Sequence, residues 1–514
     1  MSMPTSLSKA MKIINLMNFV RQNDPRIENS EDVLYECTRA EYALCREFGL
    51  ENTFLLQYDA LLDRRYVDLF SGADDKTELG LWLEIVQPLV NAVGLPWRGR
   101  PGWKWDWHVV PGFSMAYEPD QRKALIDECM RAFRDRFGFY PKTVGSWLLD
   151  TVTAAYLYDE YRVSALAICR DQVNTDAYTL VGGYFNQAYY PSRNNIFTPA
   201  QTKDRQIDVP VFRLLGPDPI HNYDNERHLY GENNRFLSRG EKYKGCYTME
   251  PVWGCGAEPK IIDWFFDSYF SKESLGFAYA QLGQENSFGH ADFIPNLRMQ
   301  LEKATALKDV RFMKMSETGE AFKRAFPGLT PATSLCALTD WNRGDEIQSV
   351  YYDCARYSAN LFRDKDAVFL RSLYLFDENV PEHYLDKACE TWDAEYENLP
   401  LIDTLRGSDT EGLILKGARG CLTAVKTGTD GLRVHWDNGM AEFTPECIRI
   451  VGSDCELRFG GPADMRLADG AIAYTYKGVS YHLLIGGVLR PVAGGCAIGQ
   501  KGDCITIIPT PGAG

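Results

Sequence analysis

The decapeptide PKTVGSWLLD, residues 141–150, has the pattern of a buried parallel strand that ends beside a functional site. Mostly apolar residues run from Val144 to Leu149, and the carboxylate of Asp150 closes the stretch. A helical pattern over 119–137 precedes it, and a helix over 152–161 and a short apolar strand over 163–169 follow. Strand, helix and strand in this order form the unit of an α/β barrel or an open α/β sheet. In both, chemistry takes place at the carboxyl ends of the strands.

The composition limits the classes of partner. At 514 residues, the chain is long enough for two or three domains, and its formal net charge is −15. Phosphate binding needs a basic stripe, which the sequence lacks, so a nucleic-acid partner is not expected. No apolar run is long enough to span a membrane. The run Ile13–Val20 contains two asparagines and is followed by no cleavage site, so it predicts a first strand rather than a signal peptide and favours a cytoplasmic protein.

The fourteen cysteines form no CxxC pair. This spacing, without an export signal, predicts free and mostly buried thiols. We therefore expect neither a structural zinc site nor a disulfide.

Five further segments bring the number of predicted parallel strands to seven: 12–21, 53–62, 78–85, 206–215 and 277–282. Parallel strands place their carboxyl ends at one edge, so polar residues near these ends, or in the loops beside them, are candidates for substrate binding. These candidates are Arg21, Asp59, Glu84, Arg170, Gln172, Glu250, Asn286 and His290.

The segment 97–108 combines four tryptophans with charged residues. In an extended chain, Asp106 and His108 would point one way and Trp103, Trp105 and Trp107 the other. The tryptophans could stack on sugar rings or form an apolar plug, and both alternatives stay open. Trp105, Asp106 and His108 join the candidate substrate-binding residues.

The pattern changes after the predicted barrel. Residues 345–362 have the pattern of a helix and 367–376 that of a strand. From about residue 409, short apolar runs are separated by Gly, Asp and Asn turns, which predicts an all-β sandwich. We therefore predict a barrel domain over 1–330, a helical or mixed linking region over 331–405, and a β-sandwich over 406–514.

Several motifs resemble known families. NFVRQNDPR (18–26), WKWDWHVVPGF (103–113), PKTVGSWLLD and GGYFNQAYYPSRNN (182–195) resemble an uncharacterised bacterial family assigned to the glycoside hydrolases. The strand count, the acid after strand four and QLGQENSFGH (281–290) are similar to the superfamily of glycoside hydrolases 57 and 38 and polysaccharide deacetylases. The resemblance implies a (β/α)7 barrel over about 12–330, with Asp150 in the place of the nucleophile and Glu285 in that of the acid.

The chain also departs from these families. Family 57 enzymes usually carry Glu on strand four and Asp on strand seven, so the two residue types are exchanged here. The paired histidines of the deacetylase metal motif are missing, and an HxD motif near the start of the barrel, which family 38 needs, is absent. These departures leave the reaction open.

Asp150 and Glu285 are the predicted catalytic pair. Cleavage of a glycosidic bond needs two carboxyl groups, one protonated and one ionised. Asp150 also precedes a helix, so the alternative is that it caps this helix or forms a salt bridge.

Three functions follow from these patterns. The first is a glycoside hydrolase that needs no cofactor. The second is a metal-dependent carbohydrate deacetylase, in which Asp59 and His108 bind a divalent ion. The third is a non-catalytic sugar-binding protein on the same barrel. A carbohydrate is the expected partner in all three, and self-association is left open.

Overall fold

The computed structural model describes residues 12–169, 172–175, 178–185, 188–221, 248–252, 254–396, 398–404 and 412–512. Its first part contains a sheet of seven parallel strands in the order β8–β5–β4–β3–β2–β1–β9, and β10 pairs with the start of β1. The strands are β1 (Lys12–Val20), β2 (Asn52–Leu56), β3 (Thr77–Trp82), β4 (Thr143–Gly145), β5 (Ala165–Cys169), β8 (Val211–Leu214), β9 (Tyr279–Leu282) and β10 (Val310–Phe312). A hairpin of β6 (Gln172–Thr175) and β7 (Tyr178–Leu180) stands apart from this sheet.

The sheet curls into a nearly closed barrel. The backbone N–H of Leu215, just after β8, donates to the side-chain oxygen of Gln281 in β9, so the two end strands lie side by side. Helices connect the strands, as the sequence predicts. They are α1 (Ser30–Phe48), α2 (Tyr58–Leu62), α3 (Arg64–Phe70), α4 (Gln87–Ala92), α5 (Val109–Gly112), α6 (Pro119–Phe137), α7 (Thr151–Tyr161), α8 (Gly254–Ala257), α9 (Pro259–Tyr269), α10 (His290–Thr305) and α11 (Met315–Ala325). The predicted α/β barrel is confirmed.

Aromatic side chains fill the inside of the barrel. Phe19 of β1 stacks on Trp82 of β3 with ring centroids 4.2 Å apart, and Trp147 meets both rings edge-on. A Cβ atom at Gly145 would lie 2.6 Å from Leu55 and 3.0 Å from Trp82. Glycine therefore lets β4 approach this packed interior.

The predicted strand over 53–62 is wrong in its second half. The strand β2 ends at Leu56, and α2 begins at Tyr58. The run TFLLQYDALL is apolar almost throughout, and periodicity alone cannot separate a buried strand from a buried helix in so short a run. The strand end, and with it the start of the functional edge, therefore lies at Gln57.

The rest of the described chain is all-β, which the sequence predicted only from about residue 409 onward. A nine-stranded sheet contains β11 (Thr333–Ala337), β12 (Ile347–Asp353), β13 (Tyr357–Asp364), β14 (Ala367–Leu375), β15 (Leu399–Asp403), β16 (Leu413–Lys416), β21 (Asp454–Arg458), β25 (Val488–Val492) and β26 (Gly495–Gly499). An eight-stranded sheet contains β17 (Thr423–Lys426), β18 (Leu432–Trp436), β19 (Gly439–Phe443), β20 (Ile448–Val451), β22 (Asp464–Ala468), β23 (Ala471–Tyr476), β24 (Val479–Gly486) and β27 (Cys504–Pro511).

The nine-stranded sheet separates two hydrophobic cores. Successive residues of a strand face opposite sides of its sheet. Tyr351 accordingly belongs to the core shared with the barrel, whereas its neighbours Val350 and Tyr352 belong to the core shared with the eight-stranded sheet. The layers therefore run from the barrel through the nine-stranded sheet to the eight-stranded sheet.

The predicted helix over 345–362 is wrong. These residues form β12 and most of β13, which pair antiparallel. Both strands are buried along nearly their whole length, so the alternation of polar and apolar residues that marks a half-exposed strand is missing. In the described part of 331–405 we find strands and loops but no helix, so the helical character predicted for this linking region is corrected.

The remaining general predictions concern the cysteines and the membrane. The twelve cysteines described in the structure are free thiols, and most are buried. Across the described ranges, no helix is both long and apolar enough to cross a membrane.

Arg122 joins the barrel to the β-rich part. It lies on α6 with no exposed surface, and its guanidinium donates to Asp150 at 2.9 Å and to the backbone carbonyls of Tyr384 and Lys387 at 2.9 and 2.8 Å. One buried cation therefore holds a barrel loop and the segment after β14 together.

We expect Arg122→Met to lower the free energy of unfolding by about 3–5 kcal/mol, because it leaves the buried carboxylate of Asp150 without its cation. Denaturant titration of the purified variant measures this loss. Arg39→Met is the matched control, since Arg39 forms an exposed ion pair with Glu36, and its midpoint should stay near that of the wild type. Equal midpoints for the two variants would contradict a clamping role for Arg122.

Candidate functional site

Arg21 is the centre of the polar group at the carboxyl ends of the barrel strands, which we call the barrel mouth. It follows β1 directly and is buried. Its guanidinium makes a bidentate ion pair with Glu84, at 2.9 and 3.0 Å, and a third bond of 2.6 Å to Glu285. Burial opposes the positive charge, but the two carboxylates outweigh it and raise the pKa of Arg21. Arg21, Glu84 and Glu285, all predicted site residues, are thus brought together.

Four hydrogen bonds from three residues hold Glu84. Besides Arg21, its Oε2 accepts hydrogen bonds from Gln57 Nε2 at 2.6 Å and from the indole Nε1 of Trp105 at 3.0 Å. Trp105 is buried, and its ring lies under the Arg21 guanidinium at 4.3 Å. With its acceptors used by the protein, Glu84 fixes Arg21 in place.

Asn286 positions the backbone of Arg21. Its side-chain oxygen accepts the Arg21 N–H at 3.0 Å, and its amide donates to the Arg21 carbonyl at 2.8 Å. The same amide reaches Leu34 and Thr38 of α1. Asn286 is therefore a positioning residue, satisfied by protein groups.

Glu285 is the more accessible carboxylate beside Arg21. It keeps 6% of its surface exposed, compared with 1% for Glu84. Its Oε2 receives the bond from Arg21, and its Oε1 accepts a bond of 2.6 Å from the Ser287 hydroxyl. Glu285 is thus a charged, oriented carboxylate at the end of β9.

Asp59 lies beside this group and accepts fewer hydrogen bonds than Glu84. Its Oδ1 accepts the backbone N–H groups of Gln22 and Ala60, at 3.3 and 2.7 Å. Its Oδ2 is buried and has no hydrogen-bond partner among the described residues. Burial raises the pKa of Asp59 to about 7, although these two backbone bonds oppose the shift. Asp59 is therefore more readily protonated than an ordinary aspartate, whereas Glu285 is ion-paired with Arg21.

Asp150 has the contacts of a structural residue. It is the N-cap of α7, where its Oδ1 accepts the Thr153 N–H at 2.9 Å, and it forms the ion pair with Arg122. Its Oδ2 accepts the hydroxyls of Ser114 and Thr153, at 2.6 and 2.7 Å. In the described ranges, no hydrogen bond or ion pair links it to Arg21, Glu84 or Glu285. The alternative that the sequence left open, a helix cap and salt-bridge partner, is therefore the geometry observed.

Asp106 and His108 form a second polar group. Asp106 makes a bidentate pair with Arg100 at 2.7 Å and accepts from His108 Nδ1 at 2.8 Å, so the two candidates contact each other. Burial opposes these hydrogen bonds, but together they lower the pKa of Asp106. The rings of Trp103 and Trp105 both contact Trp107, at 5.2 and 6.1 Å, and the indole of Trp105 also donates to Glu84.

The other candidates lie elsewhere or outside the description. Glu250 accepts a bond of 2.9 Å from Thr248, and His290 is exposed at the first turn of α10. Gln172 lies in β6, and nothing is described of its side chain, while Arg170 falls outside the described residues. Sequence reasoning missed Gln57, because the predicted strand ran through it. A polar residue directly after the apolar run TFLL was the signal that could have revealed this strand end.

A divalent-metal site does not emerge from the described residues. Searched over those ranges, no three His, Cys, Asp or Glu side chains converge well enough to hold an ion. The two residues named for the deacetylase alternative have different partners: backbone N–H groups for Asp59, and Asp106 for His108.

The fold and the site place the chain among (β/α)7 barrels with carboxylates at the barrel mouth, followed by an all-β part. No protein-family model and no curated protein matches the chain. Its fold is shared with a Parabacteroides distasonis protein described as a "putative glycoside hydrolase/deacetylase", at TM-score 0.54 and 16% identity over 75% of this chain and 90% of that one. Two other similar structures are a Mycobacterium smegmatis protein described as a "putative polysaccharide deacetylase" (TM-score 0.36, 12% identity, 63% and 94% coverage) and a GH57 branching enzyme of Thermococcus kodakaraensis (0.32, 11%, 61% and 72%).

The raised pKa of Asp59 predicts a dependence of stability on pH. In the unfolded chain an aspartate titrates near pH 4, about 3 units below the folded value of about 7. Between these values the unfolded state releases a proton that the folded state keeps, so stability falls as the pH rises from about 4 to about 7. We expect Asp59→Asn, which cannot titrate, to gain melting temperature relative to the wild type across this window. A constant difference between the two proteins would contradict a raised pKa at Asp59.

Proposed function

We propose that the protein hydrolyses glycosidic bonds, with Glu285 as the ionised carboxylate and Asp59 as the proton donor. The observation that carries the proposal is the contrast between their environments. Glu285 is ion-paired with Arg21 at 2.6 Å, whereas burial and a missing hydrogen-bond partner favour the protonated form of Asp59. Two carboxyl groups held in opposite protonation states are what glycoside cleavage needs.

The chemistry follows from these states. Asp59 donates its proton to the glycosidic oxygen, so the leaving sugar departs as a neutral hydroxyl. Glu285 either attacks the anomeric carbon or removes a proton from the attacking water, according to whether the enzyme retains or inverts configuration. Arg21 holds Glu285 in orientation, and Glu84, Gln57 and Trp105 hold Arg21.

This assignment differs from the pair named in the sequence. Glu285 keeps a catalytic place but changes from acid to nucleophile or base. Asp150 is replaced by Asp59, because four protein donors already occupy its oxygens. A carboxylate with no free acceptor has little to offer a substrate.

We expect Glu285→Gln to lower kcat by on the order of 10⁴-fold, because the amide keeps the shape but loses the charge that stabilises the anomeric centre. A panel of 4-nitrophenyl glycosides measures this loss. Glu78→Gln is the matched control, since Glu78 lies at the opposite, amino-terminal end of β3 and, among the described residues, bonds only to Thr53, Thr143 and Ser316. Asp150→Asn, which keeps the cap and loses the ion pair, should lower stability but keep turnover in the folded enzyme. Full activity of the Glu285 variant would end the proposal.

The proton donor predicts the pH profile. Hydrolysis of a natural disaccharide should fall as the pH rises through about 7, because Asp59 then loses its proton. Asp59→Asn should lower this rate by about 10²–10⁴-fold. An activated aryl glycoside needs less protonation of its leaving group, so Asp59→Asn should lower the rate of its hydrolysis by a smaller factor. Equal losses on both substrates would remove Asp59 from the role of acid.

The same assays separate the two alternatives. Release of acetate from an acetylated oligosaccharide, abolished by chelation and without new reducing ends, would replace the hydrolase by a deacetylase. Saturable sugar binding with no turnover of either substrate would leave a sugar-binding protein.

A further inference from the structure

An alternating series of arginine and tryptophan side chains runs outward from the Arg21 site. Arg21 lies over Trp105 at 4.3 Å, and Arg26 lies over both Trp105 and Trp107 at 5.1 and 4.9 Å. Arg100 then lies over Trp107 and Trp103 at 4.1 and 3.6 Å. Because Arg21 also bonds Glu285, the series physically connects the proposed catalytic carboxylate with half-exposed aromatic rings.

Trp392, from the β-rich part of the chain, joins the outer end of this series. Its backbone carbonyl accepts the N–H of Val109 at 3.0 Å, which fixes the segment beside the start of α5. Its ring meets His108 edge-on at 4.5 Å, and His108 stacks on Trp107 at 5.4 Å. Trp107, His108 and Trp392 thus form one aromatic surface, which we call the outer platform.

The outer platform is partly exposed: Trp107 and His108 are half-buried, and Trp392 is its exposed ring. Trp392 keeps 47% of its surface exposed, and Phe139, at 48%, is the other strongly exposed aromatic residue among those described. The indole N–H groups of Trp107 and Trp392 donate to no described residue. Arg26 and Arg100 lie over Trp107, so the open ring is that of Trp392. Its apolar face and the free donor at its edge match the apolar face and the hydroxyl rim of a sugar ring.

The two arginines beside the outer platform are ion-paired within the protein. Arg26 pairs with Asp24 at 2.6 Å, and Arg100 pairs with Asp106 at 2.7 Å. The arginines therefore contribute flat stacking surfaces rather than free positive charge. A neutral sugar suits this surface better than an acidic one.

We propose that the outer platform binds a second sugar unit of a neutral oligosaccharide whose first units reach Glu285. The inference rests on the proposed function, and it makes the substrate a chain of sugars rather than a monosaccharide glycoside. Trp392 is then a specificity-determining residue contributed by the β-rich part to the barrel site.

The experiment compares substrates of different length in the full-length protein. The long substrate is whichever of cello-, malto-, xylo- or chitohexaose is cleaved. Trp392→Ala should raise the KM for it about tenfold, because one aromatic stacking contact is lost. It should leave kcat/KM for the 4-nitrophenyl monosaccharide unchanged. Trp392→Phe should restore most of the affinity. Phe139→Ala is the matched control, because Phe139 is equally exposed but precedes β4 at the opposite end of the barrel.

Binding of the same four hexasaccharides is measured by tryptophan fluorescence. This measurement distinguishes a failure of the platform proposal from a failure of the proposed hydrolase function. If turnover is absent but Trp392→Ala weakens binding tenfold, the platform stands and the proposed hydrolase fails. If the aryl glycoside is cleaved but Trp392→Ala changes neither binding nor KM of the hexasaccharides, the platform fails and the hydrolase stands. Equal losses on short and long substrates, or no binding of any of the four, would also overturn the platform.

Discussion

Burial of the Arg21 guanidinium is the constraint around which the barrel mouth is arranged. A cation taken out of water is costly unless oriented carboxylates compensate it. Glu84 after β3 and Glu285 after β9 supply that compensation, and both come from strands other than that of Arg21. The ends of β1, β3 and β9 must therefore stop at matching heights. Gln57 after β2 and the indole of Trp105 complete the same arrangement around Glu84.

Arg122, at the boundary with the β-rich part, is a second buried cation that needs compensation by a carboxylate. Its partner Asp150 and a second carboxyl, Glu382, both meet the amino terminus of α7, where Glu382 accepts the Thr151 N–H at 2.8 Å. Burial, and then the charge of Asp150, raise the pKa of Glu382 to about 8. Glu382 is thus more readily protonated than an ordinary glutamate, and its protonation lowers the repulsion between the two buried carboxyls. A helix amino terminus, one arginine and two carboxyls hold the nine-stranded sheet against the barrel.

Physical causes explain which elements of the fold could be predicted from the sequence and which could not. The strand β1 and the helix α1 were predictable almost to the residue: Val20 is followed by a charge, and Gly49 ends α1 in a left-handed conformation at φ 61°. The strands after Asp409 were visible because many of them, such as β18, β24 and β27, alternate between buried and more exposed residues. Residues 345–362 looked helical because β12 and β13 are buried on both faces. The turn between them, Cys354 to Arg356, also contains no Gly, Pro or Asn to mark it.

The sequence could indicate which residues lie at the barrel mouth, but not which groups they would bond to. Sequence position brought Arg21, Asp59, Glu84, Glu285 and Asn286 into view, since each follows a barrel strand within a few residues. Whether a carboxyl group is charged depends on its donors, and these come from distant parts of the chain. Asp150 lies in the most suggestive motif, but four donors bond to it and it caps a helix. Asp59 lies in an unremarkable run, accepts two backbone N–H groups, and has one carboxyl oxygen without a hydrogen-bond partner among the described residues. In the proposed function, the division between acid and base is therefore set by tertiary hydrogen bonding rather than by the motif that contains the residue.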